Sequence, residues 1–238
     1  MNWIESKPIA HRGLHSGSEV PENSLLAFEK AIEGGHPIEL DVHLMSDGGV
    51  VVFHDEDLVR LCGVDKAIAD CNSRELQEHK LFGSSYSIPL LKEVLELVAG
   101  RVPIAIELKA FNFNPQLAPS TWQVLKDYQG EFAVQSFNPK CLSWFKQNAP
   151  HIKTGLIAGS MVGEPLPLFK RLAIRNLLVF PFLRPDYIAY EGAALNYQAI
   201  SLVRRFSKIP IIAWTIRDQL QLKNVEGLCQ NIIFENIY

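Results

Sequence analysis

Long apolar runs are missing from this chain: no stretch of 18 apolar residues occurs, so no segment is expected to span a membrane. A strong charge of one sign is missing too. The net charge of −3 and a pI near 6.2 leave no electrostatic footprint for nucleic acid. Cysteine is scarce. Cys62, Cys71, Cys141 and Cys229 include no Cys-x-x-Cys pair, which argues against a zinc site and against a redox motif. Cys62 and Cys71 are close enough in sequence to bridge, but Met1–Lys7 leads straight into the first strand with no room for an export signal. Reduced thiols and a cytoplasmic location are therefore expected. No internal repeat, low-complexity tract or linker divides the chain, so a single domain over 1–238 is expected.

What is present points to α/β architecture. Of the 238 residues, 47% are apolar, enough for a large core. Short β-branched runs alternate with helical stretches, the pattern of a parallel sheet. Strands are predicted at Pro8–Ala10, Ile38–Val42, Ile104–Leu108, Phe132–Gln135, Thr154–Ala158, Tyr187–Tyr190, Ile209–Trp214 and Asn231–Phe234. Val50–Phe53 is the antiparallel return of a hairpin. Eight parallel strands with helices between them imply a (β/α)8 TIM barrel. Asn176–Phe180 reads as either a strand or a buried helical end. One helix is capped by Asn23 or Ser24, one opens at Asn72 or Ser73 with Glu75 set for a capping box, and one fills Leu90–Val98. The stretch 56–87 fits no strand–helix repeat and reads as a small insertion after the second-strand hairpin.

The chemistry concentrates at strand ends. His11-Arg12-Gly13 closes the first strand, Glu39 and Asp41 stand two apart in Ile38–Val42, and His54-Asp55 ends Val50–Phe53. Two carboxylates on one strand face stay ionised in a buried sheet only where a cation or several donors offset them. Asp47-Gly48 favours a two-residue hairpin loop, and counting outward from it sets Asp41 opposite His54. Glu107 and Lys109 share a face of a later strand. Three acids without thiolate company suit one hard divalent cation, Mg²⁺ or Ca²⁺. Arg12 and Lys109 can neutralise phosphoryl oxygens, and His11 and His54 can move protons near neutral pH.

The segments His11-Arg12-Gly13, Pro21-Glu22-Asn23-Ser24, Glu39-Leu40-Asp41-Val42, Asp47-Gly48 and His54-Asp55 resemble, in order and spacing, the N-terminal signature of the glycerophosphodiester phosphodiesterases. Ile106-Glu107-Leu108-Lys109, Ser136-Phe137 and Trp214-Thr215 resemble later parts of that family. The resemblance implies Glu39, Asp41 and Glu107 as ligands of the cation and His11 and His54 as an acid–base pair. It also implies attack by the substrate glycerol's own hydroxyl through a cyclic phosphate, and a place in glycerol and lipid metabolism. Glu22, Phe137 and Trp214 join Arg12 and Lys109 as candidate substrate contacts, and the insertion would sit beside the active-site mouth.

The expected reaction is hydrolysis of a small glycerophosphodiester to sn-glycerol 3-phosphate and an alcohol, with no nucleic acid and no stable membrane association. The oligomeric state stays open. A lysophospholipase D-like activity is the alternative, but the sequence pattern offers no basic interfacial helix for it. A non-catalytic binding barrel has no use for His11 and His54. One departure from the family stands at the end, where Ile233-Phe234-Glu235-Asn236-Ile237-Tyr238 replaces a Thr-Asp-x-Pro-like segment and Glu235 takes the place of the acid.

Overall fold

The structure, a computed structural model, describes residues 2–110, 114–163 and 166–237. The fold class is the (β/α)8 barrel, with helices between parallel strands. Its residues cluster into two compact units, 10–132 and 133–238 with the first nine residues.

In the first unit β1 (Ile9–His11), β2 (Ile38–Leu44) and β4 (Ile104–Leu108) form a parallel ladder, and β3 (Val50–Val52) folds back antiparallel on β2. The helix Leu25–Glu33 begins where Ser24 Oγ accepts the Ala27 N–H at 3.1 Å, and it buries Ala27, Phe28 and Ala31. Burying Phe28 completely contributes about 2–3 kcal/mol. The helix Leu91–Val98 opens with the Glu93 carboxylate accepting the Leu90 N–H at 2.7 Å.

Two local expectations change. The hairpin loop has three residues, because the Met45 N–H donates to the Gly49 carbonyl at 2.9 Å. Gly48 takes φ +82°, and Asp47 Oδ1 accepts the Gly49 N–H at 3.0 Å, so Asp-Gly serves a bulged turn. The ladder pairs Val42 with Val52, and the Phe53 N–H donates to the Asp41 carbonyl at 3.0 Å. Asp41 therefore stands opposite Phe53, one residue from the expected His54. The second change is at Asn72, which caps a helix of only four residues, Ser73–Leu76. Its side chain accepts the Glu75 N–H at 3.0 Å, while the Glu75 carboxylate turns to Lys66 instead of closing the box.

The insertion is a compact annex with no strand–helix repeat. Short helices at Val59–Cys62 and Ser73–Leu76 and single turns at Ile68–Asp70 and Leu81–Gly83 enclose a core of Phe53, Leu58, Leu61, Ile68, Leu76 and Ile88.

In the second unit β5 (Phe132–Ser136), β6 (Lys153–Ala158), β7 (Tyr187–Glu191), β8 (Ile211–Ile216) and β9 (Asn231–Phe234) run parallel. β8 begins after Pro210, which has no N–H for a ladder. Asn176–Phe180 contains no strand; helical hydrogen bonding continues to Asn176, Leu177 turns at φ +53°, and a short helix Phe180–Leu183 follows. All four cysteines are free thiols.

Candidate active site

Parallel register assembles the acids. Within the ladder His11 pairs with Glu39, and Asp41 pairs with Glu107. Glu39, Asp41 and Glu107 are all buried, and one oxygen from each lies within 4.8 Å of the others. His11 Nε2 stands 3.8 Å from Glu39 Oε2. The backbone bends sharply just beyond: Arg12 takes φ +54° and Gly13 φ +79°. A Cβ on Gly13 would fall 2.7 Å from the Ala27 backbone, so the third motif position must be glycine. The turn aims the Arg12 N–H at Glu39 Oε2, 3.3 Å away, and the guanidinium at Asp41 Oδ2, 3.4 Å, and at Glu22 Oε1, 2.7 Å.

The charges do not balance. Lys109 Nζ lies 3.0 Å from Glu107 Oε1 and 3.4 Å from Asp41 Oδ1. Burial alone would raise the Asp41 pKa, but Lys109, His54 and Arg12 outweigh it and hold the carboxyl well below the usual range. Those cations are then largely committed. Glu39, buried and repelled by Asp41 and Glu107, is held well above the ordinary carboxylate value, and burial raises Glu107 as well. Asp41 Oδ1 is buried and accepts no hydrogen bond among the described residues. Three acids facing a deficit of positive charge, one with an unused buried lone pair, fit a hard divalent cation.

Four residues outside the predicted set of site residues complete the arrangement. Asn23, at φ +55°, donates from Nδ2 to Asp41 Oδ2 at 2.9 Å. Asp55 Oδ1 meets His54 Nδ1 at 2.6 Å. Arg60, from the insertion, grips both Asp55 and Glu22 in two-pronged contacts of 2.6–3.0 Å. Glu22 is thereby held between Arg12 and Arg60; burial is outweighed by those guanidiniums and its pKa falls. His43 Nε2 lies 3.0 Å from the His54 carbonyl, and burial pushes its pKa down to about 4, so it is neutral at pH 7. No signal within a few residues marks Arg60, whose partners lie 5 and 38 positions away.

Phe137 and Trp214 belong to the second unit, after β5 and within the C-terminal half of β8. Their rings meet edge to face at 5.7 Å and 82°. They line a cavity of about 350 Å³ with Met161, Glu191 and Arg217, and the Trp214 indole N–H is buried without a partner among the described residues. Glu235 pairs with Arg217, Nε to Oε2 at 2.7 Å.

The sequence profile of the glycerophosphoryl diester phosphodiesterase family matches residues 11–233, nearly the whole chain. The chain belongs to that family. A glycerophosphodiester phosphodiesterase of Bacillus altitudinis is 30% identical over 241 residues, covering 96% of this chain and 94% of its own. The crystal structure of a Thermotoga maritima glycerophosphodiester phosphodiesterase is 30% identical with a TM-score of 0.73, covering 95% of this chain and 92% of that one. A phosphodiesterase of Oleispira antarctica, solved in complex with the product sn-glycerol-3-phosphate, shares the fold at a TM-score of 0.80 and 23% identity, covering 98% of this chain and 93% of that one. As a glycerophosphodiester phosphodiesterase the protein is a phosphoric diester hydrolase, and the buried acids are a group able to hold a divalent cation. No helix among the described residues is long and apolar enough to cross a membrane.

Proposed function

We propose that this chain, acting as one catalytic domain over 1–238, hydrolyses glycerophosphodiesters to sn-glycerol 3-phosphate and an alcohol in a reaction that depends on one divalent cation, Mg²⁺ or Ca²⁺. The observation that carries this is the triad Glu39, Asp41 and Glu107, buried together with Asp41 Oδ1 accepting no hydrogen bond among the described residues and His11 against Glu39. The product bound by the Oleispira antarctica relative supports the substrate class. The three carboxylates would hold the cation, which when bound neutralises and polarises the phosphoryl oxygens.

The chain's own groups do the rest. Arg12 and Lys109 set positive charge against the phosphoryl group, and Glu22 fixes the Arg12 fork. His11 and His54 serve as the acid–base pair. One takes the proton of the substrate's glycerol hydroxyl as it attacks phosphorus; the other gives a proton to the departing alcohol oxygen. Water then opens the cyclic phosphate with the roles reversed. Asp55 orients the His54 ring through Nδ1. Phe137 and Trp214 are assigned to substrate contact, with the Trp214 N–H free to donate to a hydroxyl.

An assay of glycerol 3-phosphate release from glycerophosphocholine tests the reading. Activity should vanish with EDTA and return with Mg²⁺ or Ca²⁺. His11→Ala and His54→Ala should each lose about 10²–10⁴ in kcat, and bis(p-nitrophenyl) phosphate, which lacks the internal hydroxyl, should be a poor substrate. Full activity after exhaustive chelation would overturn the metal, and efficient cleavage of the hydroxyl-free diester would overturn the cyclic route.

A further inference from the structure

The stretch Leu166–Pro185 contains a helix unlike the others among the described residues. Its helix, Leu168–Arg175, buries none of its residues. Leu168 is 66% exposed, Phe169 70% and Phe182 89%, with Leu172 and Leu178 also exposed. A barrel helix normally stays folded by burying an apolar stripe, and here large apolar side chains stand in water. The same stretch contains Lys170, Arg171, Arg175 and Arg184 and no Asp or Glu. None of those four cations has a carboxylate partner among the described residues.

The stretch is anchored to its own unit and continues into a second cationic surface. The Arg175 guanidinium lies 4.2 Å from the Tyr197 ring centroid, and the Tyr190 hydroxyl donates to the Arg175 carbonyl at 2.8 Å. Tyr197 caps the helix Gln198–Phe206, whose Leu202 and Phe206 are exposed and whose last turn carries Arg204 and Arg205. Phe180 and Arg184 share a surface cleft with Ser207, Lys208 and Asp186, whose carboxylate is taken by Lys146. No acid lies between Gly192 and Arg217.

We propose that this face, Leu166–Pro185 with the Gln198–Lys208 helix and turn, docks the protein on an anionic lipid bilayer surface. Exposed Phe and Leu side chains supply the groups that enter the acyl boundary, and the interspersed cations, which have no carboxylate partner among the described residues, match phosphate headgroups. Charge complementarity selects the occupant, because seven cations, with Asp186 beside them already paired to Lys146, would repel a second copy of themselves. The inference does not rest on the chemistry of the buried acids. The periodicity of Leu168–Arg175 conceals it, since LFKRLAIR reads as an ordinary barrel helix until its burial is known.

Co-sedimentation of the full chain with phosphatidylcholine vesicles, with and without phosphatidylglycerol, tests this. Binding should require phosphatidylglycerol and weaken at high salt. The exposed pair Phe169→Ser/Phe182→Ser should reduce it to background. Lys170→Gln/Arg184→Asn should weaken it about 25-fold, at about fivefold per lost charge; Asn tolerates the left-handed backbone at Arg184. Turnover of dissolved glycerophosphocholine should stay at the wild-type level in both variants, which reports that they fold. Absence of binding to the anionic vesicles, or binding that survives both sets of substitutions, overturns the proposal. A concentration-dependent dimer that disperses in the Phe169→Ser/Phe182→Ser variant without any vesicle binding also overturns it, in favour of a second copy on this face.

Discussion

The two compact units spend their polar groups differently. Residues 10–132 bury ionisable side chains: Glu39, Asp41, Glu107 and Lys109 sit in a network where each group shifts its neighbours. Residues 133–238 keep their ion pairs, Lys146–Asp186 and Arg217–Glu235, at the surface, and expose several large apolar groups, Leu168, Phe169, Phe182 and Phe206 among them. Buried uncompensated charge is costly and persists only where something offsets it. On the proposed function, the first unit carries the chemistry and the second contributes Phe137 and Trp214 to substrate contact. Substitutions should divide along the same line, with rate effects in one unit and affinity or stability effects in the other.

The largest effect is expected at the triad. Asp41→Asn keeps the side-chain shape and removes the charge, and should cost at least about a thousandfold in kcat with loss of cation binding by calorimetry. Wild-type metal affinity in this variant would break the comparison at its root. Next comes Arg60, which lies in the insertion but bridges Glu22 and Asp55. Arg60→Ala should lose about 10–100-fold in kcat/KM, because it loosens the carboxylates that orient Arg12 and His54. Arg60→Lys should recover only part of this, since an ammonium cannot make both two-pronged contacts. An Arg60→Ala enzyme with intact kinetics would reduce the insertion to packing.

A smaller change, and one of a different kind, is expected in the second unit. Trp214→Phe removes the buried indole N–H and should raise KM by about tenfold while kcat changes little, the loss of one hydrogen bond to bound substrate. Equal losses in kcat and kcat/KM would instead place Trp214 in the chemistry. The smallest effect belongs to Asp186, whose Oδ2 accepts from Lys146 Nζ at 2.7 Å and from the Thr154 N–H at 2.8 Å. Burial is outweighed by those contacts and its carboxyl is depressed. A depressed carboxyl stabilises the fold above the unfolded pKa of about 3.9, and that contribution is lost as pH falls through the folded value. Asp186→Asn should cost about 1 kcal/mol in urea unfolding at pH 7, the half-exposed pair being screened, and much less near pH 3. A cost that does not change with pH would assign the effect to packing.

How much could be read without coordinates differs between the units for a physical reason. Glu39 and Asp41 share a face because a strand alternates with period two, and their apolar neighbours mark the strand as buried; both facts are local. His11, Glu107 and Lys109 follow because strand ends in a parallel barrel lie at one rim. The hairpin register was misjudged by one residue because Asp-Gly serves both the two-residue and the bulged three-residue turn, and the choice depends on Gly49 and on Ser73, which bonds Asp47 from 26 residues away. Asn23 reads as a helix cap rather than a partner of Asp41, and neither His43 in its strand nor Arg60 in the insertion carries a local signal for its contacts with the His54 carbonyl, Glu22 and Asp55.

The sequence by itself determined the succession of eight parallel strands with helices between them, and the set of acids, imidazoles and cations from which a phosphodiesterase site can be made. Those depend on covalent spacing, backbone conformational limits and the cost of burying charge. Tertiary structure alone decided that Asp41 Oδ1 is left without a hydrogen bond, that Arg60 ties Glu22 to Asp55, and that Leu168, Phe169 and Phe182 face water. Each of these depends on which distant segments pack together, and burial is a property of the packed chain that no local pattern records.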